Sequence, residues 1–135
     1  MEFSHINWLA VIAAAFSNFL LGGLWYSPYM FGKAWQAENR FSDEQVKNVN
    51  TARVFGTSFI WSLVMSVSMA FVLSGPASNA LAGLKAGLLI GVGWMAMGIF
   101  IIGLFERRST RYMLINAGYM VLSFLLMGSI LGAWH

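Results

Sequence analysis

The chain is 135 residues long, 59% hydrophobic and only 10% charged, with a net charge of +3 and no cysteine. Soluble domains carry about 25% charged residues, so this composition excludes an ordinary water-soluble core, and the missing cysteine excludes disulfides, thiol chemistry and cysteine-ligated metals. The basic residues fall in short segments between apolar runs, which makes them topology signals and argues against a nucleic acid partner.

Four stretches contain no Asp, Glu, Lys or Arg: residues 6–26, 54–74, 86–105 and 112–134. Each is about 20 residues long, enough for a helix to cross roughly 30 Å of hydrocarbon. They are apolar around their whole circumference and lack the alternation of barrel strands, so the expected fold is all-α, a single membrane domain over residues 1–135 built as a four-helix bundle. The segment ahead of the first run, MEFSHIN, holds Glu2 and neither Lys nor Arg, and the run is too long for a signal-peptide core. The first helix is therefore expected to be retained.

Within the first run Asn18 lies mid-span on a stripe with Ala10, Ala14 and Gly22. An amide in hydrocarbon must find a partner, so Asn18 is expected to point into the bundle, either as structural glue or as the lining of a small polar cavity. The run ends in GGLWYSPYMFGKAW, residues 22–35, dense in glycine and aromatic residues. Trp25 and Tyr26 suit the membrane interface, Pro28 prevents simple continuation, and Phe31, Ala34 and Trp35 recur as on a short helix in the headgroup layer, with Lys33 reaching phosphates. Two readings of this segment stay open: an aromatic belt, or a lipid or ligand site in which Trp25, Tyr26, Lys33 and Trp35 enclose an anionic headgroup.

The loop 27–53 is the one connection with room for structure of its own. Ser42 followed by Asp43, Glu44 and Gln45 reads as a capping box whose helix is expected to run straight into the second span. The second span should stop at Gly75 and Pro76, before a short turn, and the third and fourth spans are joined by the tight turn ERRSTR. Lys33, Arg40, Lys47 and Arg53 in the first loop and Arg107, Arg108 and Arg111 in the third leave only Lys85 for the second. By the positive-inside bias the two basic loops face the cytoplasm and both termini lie outside.

Small residues recur every four positions as Ser58, Ser62 and Ser66 in the second span, as Gly83, Gly87 and Gly91 leading into the third, and as Gly128 and Gly132 in the fourth. Hydrophobic drive between helices is small in lipid, so such stripes are expected to be close-packing seams, within one chain or between copies. Glu2, His5 and His135 share the predicted outer side, but no fixed ligand spacing links them and no metal site is assigned.

The order Asn7-Trp8, Gly22-Gly23, Trp25-Tyr26-Ser27-Pro28 and Phe31-Gly32-Lys33-x-Trp35 resembles a family of small bacterial membrane proteins, domain of unknown function 1761. The resemblance covers essentially the whole chain. It implies a multi-span protein of a bacterial cytoplasmic membrane and supplies no catalytic residues. No hydrolase triad, metalloprotease, phosphate-loop or dinucleotide motif occurs, and no span contains an ionisable side chain, so neither an enzyme nor a proton-driven pump is expected and no cofactor is assigned. The leading expectation is a non-catalytic module that self-associates or binds lipid or a protein partner. The alternative is an oligomeric carrier or channel for a small neutral or hydrophobic solute, built around Asn18 and the serine stripe.

Overall fold

The computed structural model describes residues 3–135, and every regular element among them is helical. A short 3-10 turn, Phe3–His5, leads to α1 (Trp8–Trp25), followed by two short helices, α2 (Gly32–Asn39) and α3 (Asp43–Lys47). The second span is α4 (Thr51–Val72). The third is one helix, Ala80–Phe105, made of α5 (Ala80–Ile90), a π-helical turn (Gly91–Ala96) and α6 (Met97–Phe105), and the fourth is α7 (Thr110–Ala133). All four are long and apolar enough to cross a membrane.

The helix starts follow from local chemistry. Asn7 accepts the Leu9 and Ala10 amides, Asn50 accepts that of Arg53, Asn79 that of Ala82 and Ser109 that of Tyr112, so all four spans open on a side-chain cap. Ser42 and Gln45 form the reciprocal capping box expected of α3.

Two boundaries differ from the sequence expectation. The helix begun at Ser42 does not run into the second span: it stops at Asn48, and Asn50 caps a new helix, since two asparagines in three residues offer the backbone alternative partners. The third span starts at Ala80 instead of 86 and so contains Lys85, which is exposed; a long lysine can extend its ammonium toward the interface while its stem lies on apolar surface.

α7 is the hub, with α1, α4, α5 and α6 all packed on it, and α1 also packs along α4. The closest approach is between α5 and α7. A methyl built on Gly83 would overlap the Gly128 carbonyl, with its carbon at 2.6 Å, and one on Gly87 would meet the Phe124 carbonyl carbon at 2.7 Å. Gly91 lies against the Val121 Cα, and Gly132 against the Asn79 backbone. These glycines meet the backbone of the facing segment within the chain, and Gly83 meets Gly128 and Gly132 directly. None of the fourteen glycines has a positive φ, so those of this seam serve approach between backbones, not turning.

The core lies in the half of the bundle nearer the termini, where Ile6, Ala10, Val11, Ala14, Met69, Leu73, Phe124, Met127 and Leu131 form one cluster. There the small side chains of α1 let α4 come close, and the buried Ser66 hydroxyl donates to the Val11 carbonyl at 2.7 Å. Toward the other end phenylalanines replace alanines at the contact: Phe19 meets Phe55 and Phe59 edge to face at 5.9 and 5.8 Å, and Phe16 meets Phe59 at 6.3 Å. Bulk at one end and small residues at the other part the two helices. Where they part, a groove opens.

Candidate functional site

The serine stripe of α4 follows that opening step by step. Ser66 is fully buried, and Ser62 is nearly so and accepts a 2.7 Å hydrogen bond from the Asn18 amide nitrogen. Ser58, one turn further, is exposed and turns its hydroxyl back to the Val54 carbonyl at 2.6 Å. Ser58 is thus a groove-wall residue and not part of the packing seam expected of it, because the helices have already separated at its level.

The groove measures about 440 Å³ and lies between α1, α4 and α7. Its back wall is polar. Tyr119 of α7 donates to the Asn18 side-chain oxygen at 3.1 Å, so Asn18 ties Ser62 and Tyr119 together across three helices. Gly22 makes room for this, since a Cβ there would lie 2.9 Å from the Tyr119 hydroxyl oxygen. Around this row the walls are apolar and aromatic, with Phe19, Phe55, Trp61, Met65 and Met120. The lining contains no carboxylate, histidine, lysine or arginine.

The mouth is built by the aromatic segment that follows α1. Its turn is closed by backbone bonds from Phe31 N–H to the Trp25 carbonyl and from Gly32 N–H to the Ser27 carbonyl, both 2.9 Å. Gly32 is buried against that backbone, where a Cβ would sit 2.6 Å from the Ser27 carbonyl carbon. This seat folds α2 back so that Trp35 reaches the groove. Tyr26 donates to the Asn116 side-chain oxygen at 2.6 Å, and its ring meets Trp35 at 5.8 Å and Tyr119 at 5.4 Å, both edge to face. Past Trp35, Val54 and Phe55 the groove continues into a second apolar hollow of about 520 Å³ under α3.

A family described as a protein of unknown function, DUF1761, matches residues 9–132. The chain belongs to that family. No curated protein and no solved structure matches it.

The aromatic segment of this DUF1761 chain does not form one enclosure. Tyr26, Trp35 and Asn18 line the groove, whereas Trp25 faces the other way. The Trp25 indole donates to the Ile115 carbonyl at 2.9 Å, its ring packs on Gly118 and on Phe31 with centroids 4.5 Å apart, and it lines a separate hollow with Ala34 and Arg111. Lys33 is exposed, lines neither space, and forms no ion pair or side-chain hydrogen bond among the described residues. A headgroup shared by Trp25, Tyr26, Lys33 and Trp35 is therefore replaced by two faces on either side of the end of α1. Trp25 and Tyr26 make directed bonds to α7, which a belt would not require.

Sequence reasoning placed Asn18 but missed its partner Tyr119 and the mouth residue Asn116. Their spacing was a usable signal: Asn116, Tyr119 and Ser123 share one face of the fourth apolar run at i, i+3 and i+7. At the opposite end His5 and His135 line one small cavity of about 20 Å³ beside Trp134; Glu2, weighed with them from the sequence, lies outside the described residues.

Proposed function

We propose that this DUF1761 chain is a non-catalytic membrane protein whose groove between α1 and α4 holds a neutral, lipid-like molecule with one hydrogen-bonding group. The observation that carries the reading is the polar row Asn18, Ser62 and Tyr119 set at the back of an otherwise apolar groove. Burying polar side chains in hydrocarbon is unfavourable unless they bond, and here the buried Asn18 bonds both the buried Ser62 and the half-buried Tyr119 while capacity is left to spare. The Asn18 amide nitrogen carries a second hydrogen beyond the one given to Ser62, and the Tyr119 oxygen can still accept. Tyr26 lies about 12 Å along α1 from Asn18, eight residues at 1.5 Å each, so a molecule whose hydrogen-bonding group engages the row can extend its alkyl chain to the aromatic mouth.

The lack of a carboxylate, histidine, lysine or arginine in the lining supports binding over acid–base chemistry. The glycine seam that suggested self-association is filled by the chain's own α5 and α7, which shifts the weight toward lipid binding.

The test exploits Gly23, which lines the groove and has no atom within 4 Å of a Cβ built on it. Gly23→Leu should narrow the groove at little cost to the fold. A photoreactive long-chain alcohol with a diazirine on its alkyl chain should label Met65 or Met120 in wild type, and Gly23→Leu should reduce that labelling about tenfold while leaving the thermal midpoint unchanged. Labelling spread evenly around the spans, or unaffected by Gly23→Leu, rejects the site. Release of the same alcohol from protein-containing vesicles would move the reading to the carrier.

The expected setting is the cytoplasmic membrane of a bacterium, with both termini outside, on the strength of the seven-to-one bias of Lys and Arg toward the loops around 27–53 and 106–111. Cysteines placed singly at Glu44 and Ala77, both exposed, should then label from opposite sides of intact cells. Labelling of both from outside refutes this orientation.

A further inference from the structure

We infer that a cavity at the loop end of the bundle, between the end of α2 and the turn joining α6 to α7, binds a phosphate-bearing anion through Arg40 and Arg107. The inference is independent of the membrane-depth groove. The cavity holds about 450 Å³ and is polar, with Glu38, Asn39, Arg40, Glu106, Arg107 and Arg108 among its walls.

Most of its charge is already committed. The Ser109 hydroxyl donates to the Glu38 carboxylate at 2.5 Å. Arg108 lies 3.7 Å from the Glu106 carboxylate, reaches the Asn39 side-chain oxygen at 3.4 Å, and stacks over the Tyr112 ring at 4.4 Å. Both acidic groups and one guanidinium thus have partners within the wall. Arg40 and Arg107 are exposed and form no ion pair or side-chain hydrogen bond among the described residues. Two uncommitted guanidinium groups facing one polar hollow suit an oxyanion, since each offers a planar fork of donors matched to phosphate.

The backbone adds an independent reason to think these arginines are there for their side chains. Arg40 and Arg107 are the two described residues with left-handed backbone, at φ 56° and 57°. Each ends a helix in the same way. The Arg40 N–H bonds the Ala37 carbonyl and the next N–H, of Phe41, reaches back to Gln36; the Arg107 N–H bonds Leu104 and that of Arg108 reaches back to Gly103. This termination favours glycine at the left-handed position, because a Cβ there crowds the following carbonyl. The chain spends fourteen glycines elsewhere and none here. Two helices that end on one cavity both carry arginine where the backbone alone would select glycine.

The anion has two sources at this level of the membrane, the phosphodiester of an anionic lipid or phosphate free in solution. Both present oxygens to the same pair of guanidinium groups, and two experimental arms separate them. In one, protein in neutral detergent is titrated with inorganic phosphate by calorimetry. In the other, protein in nanodiscs of phosphatidylcholine with increasing phosphatidylglycerol is released into the mass spectrometer and its retained lipids are counted.

Arg40→Gly and Arg107→Gly are the informative variants, because glycine fits the left-handed backbone and the helix ends should survive or gain stability. Each should weaken anion binding about fivefold and the double variant about thirtyfold, as expected for roughly 1 kcal/mol per surface charge. Thermal midpoints measured without anion should be unchanged or higher. Lys47→Gln, which removes an exposed cation from α3 outside the cavity, should leave binding unchanged. Such losses in either arm support the site, and the arm in which they occur names the source. Equal anion binding by wild type and the double glycine variant overturns it, as do an equal loss with Lys47→Gln and an absence of binding in both arms.

Discussion

Gly83→Ala should separate the third span from the fourth and lower stability by on the order of 3 kcal/mol, the upper part of the range for overpacking a close contact. The added methyl would overlap the Gly128 carbonyl, and what it meets is backbone on a facing helix, not the flexible end of a side chain. Relief therefore requires the helices to move apart. Moving them apart breaks the neighbouring contacts too, because Gly87 sits on the Phe124 carbonyl and Gly132 on Asn79 along the same line. Gly98→Ala is the matched comparison. It lies in α6 with no atom within 4 Å of an added Cβ, so the same chemical change should be neutral or raise stability by about 0.5 to 1 kcal/mol through helix propensity alone. Thermal unfolding of both variants in one detergent decides the matter. Similar midpoints for the two would mean that α5 and α7 are not in backbone contact.

That seam was legible as a pattern but not as a pairing. Glycines four apart in two neighbouring runs announce a face of close approach. Which face meets which depends on how the helices rotate against each other, and a single helix does not encode that. The spans themselves were legible because length and the exclusion of charge are properties of one segment at a time. Lys85 shows the limit of that logic: a charge was read as a boundary, yet the helix begins at Ala80 because Asn79 caps it. The break between α3 and α4 was missed for the converse reason, since the capping box at Ser42 was read as opening one continuous helix although Asn48 ends it and Asn50 caps the next. The π-helical turn at Gly91–Ala96 had no evident mark in the sequence.

The aromatic segment failed as a single site on simple geometry. Adjacent residues on a helix point about 100° apart, and at the end of α1 that offset sends the Trp25 indole to Ile115 and Gly118 while Tyr26 lines the groove. Lys33 and Trp35, two residues apart on α2, point about 200° apart, and only Trp35 lines the groove. Asn18 was placed correctly because a lone amide in hydrocarbon has few options, while its bond to Tyr119 joins positions 101 residues apart and belongs to the tertiary fold.

Gly32→Ala should couple the fold to the groove. The new methyl would sit 2.6 Å from the Ser27 carbonyl carbon and against the Tyr26 carbonyl, both in a turn already closed by hydrogen bonds from Phe31 and Gly32. Neither can yield without opening that turn, so α2 must lift from the end of α1. Trp35 rides on α2 and would leave the groove mouth, and its contact with Tyr26 at 5.8 Å would be lost. The expected cost is about 2 to 3 kcal/mol in thermal unfolding, together with loss of the alkyl-chain labelling that defines the groove. The paired outcome is what matters. Gly23→Leu should remove labelling with stability intact, because it fills space, whereas Gly32→Ala should remove both, because it unseats the element that builds the mouth. A Gly32→Ala protein of wild-type stability that still labels at Met65 or Met120 would show that α2 does not depend on this close seat, and that Trp35 is not required to form the entrance.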